Sequence, residues 1–121
     1  MNTNFWTLLN QYQTMKNKDV FDNHRDLFVS SYYNIHDIVN TKMYGPYVHV
    51  DGESIFNNDD FGIGSDDGHD DLIDYIIWSG REAVMNFLLD PKSALPLAKK
   101  MLKDPGFNGD VNILKRLVIN L

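Results

Sequence analysis

Residues 64–91 contain a signal for the start of a helix and a signal for its end, separated by a mostly apolar stretch. Its first turn is rich in Ser and Asp side chains, which accept hydrogen bonds from free N–H groups and favour the positive end of the helix dipole. Apolar residues then recur at helical spacing on most sides, a pattern typical of a core helix. Pro91 ends the element, because the residue before a proline disfavours the helical region. We therefore predict a central buried helix over about residues 67–89, with Gly80 allowing another helix to approach closely.

The rest of the chain predicts further helices and one small β-element. Capping residues and apolar stripes place helices at about residues 4–16, 20–43, 93–103 and 111–121. Between them, Asp51-Gly52 separates two short segments rich in β-branched and aromatic residues. Asp-Gly is a favoured pair for a two-residue hairpin turn, since both positions need positive φ. The expected fold is mainly α, with about five helices and a possible small hairpin at about residues 47–56.

Length and composition exclude several classes of protein. The 121 residues suffice for a single domain, spanning 1–121, with one core. No apolar run is long enough to cross a membrane, and the first residues do not resemble a signal peptide. The chain has no cysteine, which excludes disulfides and thiolate chemistry. We expect a cytoplasmic protein.

A set of residues in and around the central helix resembles a known family. Its members are Ser65, Asp66, Asp67, Gly68, Gly80, Arg81, Glu82, Asp90, Pro91 and Ser93. In this order and without gaps, they are similar to the core of the domain-of-unknown-function family 4240, and Phe5-Trp6 is similar to that family's opening. The resemblance covers mainly residues 65–95, and residues 40–61 have no counterpart in it. It implies a helical domain and carries no activity with it.

Charge is distributed unevenly along the chain. The net charge is −6, yet residues 49–74 hold nine acidic side chains and no Lys or Arg, whereas residues 92–121 carry an excess of bases. Such an acidic segment disfavours contact with nucleic-acid phosphates and favours a cationic partner. We expect no nucleic acid and no membrane among the partners.

The small size and the acidic segment favour a protein-binding module. The most concrete form is an immunity or inhibitor protein that neutralises a basic toxin or nuclease, because complementary charge speeds association. The predicted contact residues are six carboxylates and two aromatic anchors: Asp59, Asp60, Asp66, Asp67, Asp70, Asp71, Tyr47 and Phe61. The partner is expected to be a protein with a basic surface, and the sequence predicts no catalytic residue, no metal and no cofactor.

An enzyme is the alternative function. His49 and His69, with the Asp residues near them, contain the ligand types of a metal site, although their spacing matches no known pattern. Ser65, Asp66 and His69 are the residue types of a hydrolytic triad, but no nucleophile-elbow motif surrounds the serine. The carboxylates also match the preference of calcium, but not in the order of an EF-hand loop. The sequence therefore leaves a metal-dependent or hydrolytic domain open as the second hypothesis.

Overall fold

The computed structural model describes residues 4–57, 66–103 and 113–121, and side chains throughout these ranges except those of residues 66, 67 and 113. The mainly helical fold with a small antiparallel hairpin is confirmed, with six α-helices in these ranges instead of about five. The elements are α1 (Phe5–Met15), α2 (Arg25–Met43), β1 (His49–Val50), β2 (Glu53–Ser54), α3 (Asp66–Trp78), α4 (Arg81–Leu89), α5 (Leu95–Lys103) and α6 (Ile113–Ile119). Single turns of 3-10 helix precede α2 at Lys18–Phe21 and α5 at Pro91–Ala94.

The long central helix predicted over residues 67–89 is wrong as a single element. It divides into α3 and α4 at Ser79-Gly80. Gly80 has φ of +115° and ψ of 173°, a backbone conformation open to glycine and disfavoured for other residues. A Cβ at Gly80 would meet no atom within 4 Å, so the glycine is not there to admit another helix. It provides the backbone conformation at which the chain changes direction.

Helix α3 nevertheless forms the centre of the core, as the apolar periodicity predicts. Five of its apolar residues are buried, namely Leu72, Ile73, Tyr75, Ile76 and Ile77. It packs against α2 on one side and against α4, α5 and α6 on others. Aromatic rings from the first part of the chain complete the core: Phe28 stacks on Phe5 at 4.6 Å between ring centroids and packs at a tilt against Phe21 at 4.5 Å.

The hairpin forms at the predicted turn. Asp51 and Gly52 have φ of +54° and +83°, and His49 pairs with Ser54 across the two short strands. Val48 and Phe56, which flank the strands, are fully buried. These two anchors hold an element that would be only marginally stable alone.

Across the described ranges, none of the helices is both long enough and apolar enough to span a bilayer.

Candidate functional site

The structure describes only part of the predicted contact set. Asp59, Asp60 and Phe61 lie outside the described residues. The backbone of Asp66 and Asp67 forms the first turn of α3, and their side chains are not described. The other three members have described side chains: Asp70 and Tyr47 are exposed and Asp71 is half-buried.

Three elements meet where these residues lie. The hydroxyl of Tyr44, at the end of α2, donates a hydrogen bond of 3.0 Å to Asp70 Oδ1 on α3. The Tyr44 ring stacks on His49 of β1 at 5.8 Å between centroids, and His49 lies 5.4 Å from His69 of α3. We call the outward side of this junction the hairpin–α3 surface and define it by Tyr44, Tyr47, Val50, Asp51, Glu53 and Asp70, all of them exposed.

Tyr47 is the most prominent aromatic residue on the hairpin–α3 surface. Its side chain is 69% exposed, although it lies next to the buried Val48. The ammonium group of Lys42 lies over its ring, 4.5 Å from the centroid. The ring face is therefore already in contact with a cation, which is the arrangement of a cation–π interaction.

Beneath this surface, the structure brings together the two histidines that the sequence proposed. Ser54 Oγ lies 2.7 Å from His69 Nε2, and the same oxygen accepts the backbone N–H of Phe56 at 3.1 Å. His69 is buried, so this contact ties β2 to α3. Sequence reasoning paired His69 with Ser65, which lies outside the described residues, and missed Ser54.

A metal site does not result from this arrangement. Over the part of the chain with described side chains, no three His, Asp or Glu residues converge closely enough to hold a metal ion. His49 Nε2 is buried and makes no hydrogen bond among the described residues. The pair therefore links the hairpin to α3 through ring packing and one hydrogen bond.

A buried carboxylate lies one turn further along α3, and sequence reasoning did not select it. Asp74 is 1% exposed, and its Oδ1 accepts a hydrogen bond of 2.7 Å from the hydroxyl of Tyr32 on α2. These residues are 42 positions apart in sequence. The available signal was an acid at a position of α3 flanked by apolar residues on both sides, Ile73 and Tyr75.

Burial dominates the electrostatics of this pair. Loss of solvent raises the pKa of Asp74, and the Tyr32 hydrogen bond and the nearby His36 and Lys115 lower it only in part. Burial and the adjacent Asp74 raise the pKa of Tyr32 well above its usual range. Tyr32 is therefore the donor, and Asp74 is held less readily in its charged form than an exposed aspartate.

Two concave regions border α3 in the described part of the chain. A cavity of about 230 Å³ is lined by His36, Asp37, Asn40, Asp70, Asp74 and Lys115. A larger groove of about 620 Å³ lies where α4 and α5 meet the end of α3 and includes Tyr75, Trp78, Glu82 and Lys100. Asp70 belongs both to the smaller cavity and to the hairpin–α3 surface, so the two adjoin at this residue.

No protein-family model, no curated protein and no solved structure matches this chain. The resemblance of residues 65–95 to family 4240 stays a prediction.

Proposed function

We propose that this chain is a protein-binding module that takes up a basic partner through the hairpin–α3 surface, in the manner of an immunity or inhibitor protein acting on a basic toxin or nuclease. The observation that carries the proposal is Tyr47, which is 69% exposed and lies two residues before the acidic segment 49–74, beside the exposed carboxylates of Asp51 and Glu53. Exposed aromatic residues are enriched at protein interfaces, where they supply contact area at low entropic cost. A cytoplasmic location is part of the proposal.

The shape of the surface supports the same conclusion. The buried anchors Val48 and Phe56 hold the hairpin, and Tyr44 connects it to Asp70. The carboxylates of Asp51, Glu53 and Asp70 are therefore presented on a scaffold that needs little ordering on binding. A basic side chain of the partner can compete with Lys42 for the face of the Tyr47 ring, which supports the proposal.

The test compares two variants with the same change in charge. The surface variant carries Tyr47→Ala, Asp51→Asn and Glu53→Gln, and the control carries Asp26→Asn and Glu82→Gln on α2 and α4, away from the hairpin. Affinity capture from the native source is followed by kinetics of the purified complex at several salt concentrations. We expect the surface variant alone to lose the partner, with association slowed roughly tenfold and the wild-type rate falling as salt rises. Equal binding by both variants, or binding indifferent to salt, would overturn the proposal.

A second candidate function is that of a hydrolytic enzyme. Ser54 and His69 are in hydrogen-bond contact at 2.7 Å, and a serine hydrogen-bonded to a histidine is the first requirement of an acyl-transfer nucleophile. Covalent labelling by a fluorophosphonate probe tests it, with Ser54→Ala as the control. Labelling of the wild type that Ser54→Ala abolishes would establish the hydrolytic candidate. An unlabelled wild type would leave the contact a structural one.

A further inference from the structure

The cavity between α2, α3 and α6 contains a buried polar atom without a partner. Asp74 forms part of its wall, and Asp74 Oδ2 is inaccessible to solvent and makes no hydrogen bond within the described part of the chain. The backbone N–H of Lys115 lowers the pKa of Asp74 in part, yet Oδ2 has no hydrogen-bond partner among the described residues. A buried acceptor left without a hydrogen bond destabilises the fold. A donor arriving in the cavity would remove that destabilisation.

The charges around the cavity indicate the sign of the ligand. Its lining includes the carboxylates of Asp37, Asp70 and Asp74 and one lysine, Lys115. Asp74 and Lys115 form no ion pair within 4 Å among the described residues. Acidic groups thus outnumber the basic one, and the lysine present leaves Asp74 Oδ2 unsatisfied. An anion is disfavoured here, and a cation is favoured.

We propose that this cavity receives the primary ammonium group of a lysine side chain supplied by the basic partner. The inference rests on the proposed function and names the group that the acidic surface recognises. Because Asp70 lies both on the hairpin–α3 surface and in the wall of the cavity, a lysine at the edge of that interface enters the cavity beside Asp70. Asp74 Oδ2 is closed to solvent, so its hydrogen bond to the ammonium forms when side chains of the cavity wall move aside.

The geometry of Asp74 favours ammonium over guanidinium. Tyr32 already occupies Oδ1, so the carboxylate offers a single oxygen. A guanidinium binds carboxylates best through two parallel hydrogen bonds, whereas an ammonium acts as a compact charge with three separate donors. Asn40 and His36 line the same cavity and can supply further acceptors from an amide oxygen and an unprotonated ring nitrogen.

Cation binding in this cavity depends on pH, whether or not a partner protein is present. Burial raises the pKa of Asp74, and a bound cation favours the ionised carboxylate. Cation binding must therefore lower the pKa of Asp74, and by linkage the affinity for the cation must fall as the pH drops through that pKa. The groups facing this carboxylate are Tyr32 and His36 on α2, Asp70 on α3 and Lys115 on α6.

The experiment uses n-butylammonium as the probe on the full chain with carbon-13-labelled aspartate. Nuclear magnetic resonance follows the Asp74 carboxyl signal against pH, with and without the probe. We expect a lower pKa for Asp74 in its presence, about tenfold weaker binding for Asp74→Asn, and no loss for the exposed control Asp26→Asn. Ethylguanidinium should bind more weakly than n-butylammonium. An unchanged Asp74 titration, equal binding of the two cations, or a response to magnesium chloride at lower concentration than to the amine would each overturn the assignment.

A variant at the edge of the cavity tests the inference without altering the buried carboxylate. Lys115→Ala removes an exposed competing cation and should tighten n-butylammonium binding about two- to threefold, whereas Lys103→Ala on α5 should leave it unchanged. Weaker binding by Lys115→Ala would contradict the inference. Partner capture that survives Asp74→Asn would overturn the cavity assignment and leave the proposed function in place. Ammonium binding without any captured partner would confirm the cation site and remove the proposed function.

Discussion

At the scale of single residues, the hydrogen bond between Tyr32 and Asp74 is a polar contact buried in a mainly apolar core. The Tyr32→Phe variant removes the donor and leaves both oxygens of a buried carboxylate unsatisfied. We expect it to lower the free energy of unfolding by about 1–3 kcal/mol. Urea denaturation measures the change, and Tyr33→Phe, which alters an exposed ring on the same helix, should stay within about 0.5 kcal/mol of the wild type. Equal effects of the two variants would mean that Asp74 finds another donor when Tyr32 is lost.

The pKa of Asp74 gives a second prediction, with a defined sign. Because burial raises this pKa in the folded protein, the folded state holds the proton more tightly than the unfolded state does. The contribution of Asp74 to stability is therefore fully present below its ordinary pKa and is lost as the pH rises through the raised value. Relative to Asp74→Asn, the wild type should lose stability as the pH rises from about 3 to 7. Urea midpoints for both proteins across this range measure the difference. If the wild type instead becomes more stable relative to Asp74→Asn as the pH rises, the fold stabilises the charged form of Asp74.

At the scale of the elements, the break between α3 and α4 decides the sign of one substitution. In a continuous helix, Gly80→Ala would stabilise by roughly 1 kcal/mol through helix propensity. Gly80 instead has φ of +115°, so a Cβ there strains the backbone although no atom lies within 4 Å of it. We expect Gly80→Ala to destabilise by about 1–3 kcal/mol. Thermal unfolding tests this, with Asn86→Ala on the exposed face of α4 as a control that should be neutral or stabilising, and a stabilised Gly80→Ala protein would favour the continuous helix.

The same break shows what periodicity can and cannot reveal. The apolar residues from Leu72 to Ile77 predicted the burial of α3 correctly, because they lie on several faces of a helix and each of these faces has to be covered. The spacing continues in phase through Val84 and Phe87, which are buried as well. Nothing in the period distinguishes one straight helix from two helices that each bury a face. The hairpin turn was predictable because Asp51 and Gly52 act through their own backbone preferences.

At the scale of the whole molecule, the charge pattern could be read from the sequence, but the buried polar site could not. The acidic stretch from residue 49 to 74 is contiguous in the chain, so its excess of negative charge can be counted without a structure. The cavity combines His36 and Asn40 of α2 with Asp74 of α3 and Lys115 of α6. Such a set follows from how three helices cross, and no local spacing specifies it. Ser54 and His69 meet for the same reason, because the hairpin folds back onto α3.

Helix α6 is expected to contribute much of the stability of the fold, since it covers both the core and Asp74. It packs against α2 and α3 and buries Leu114, Leu117 and Val118. Full burial of three such side chains contributes about 5–9 kcal/mol, which is most of the stability of a typical domain at about 5–15 kcal/mol. A chain ending at residue 103 should therefore lose cooperative thermal unfolding, as followed by circular dichroism.

Point variants separate the packing of α6 from the length of the chain. Leu117→Ala should lower the free energy of unfolding by about 2–5 kcal/mol, whereas Ile119→Ala, at a side chain 64% exposed on the same helix, should change it by less than about 0.5 kcal/mol. A shortened chain that still unfolds cooperatively would show that α2, α3 and α4 form a sufficient core without α6.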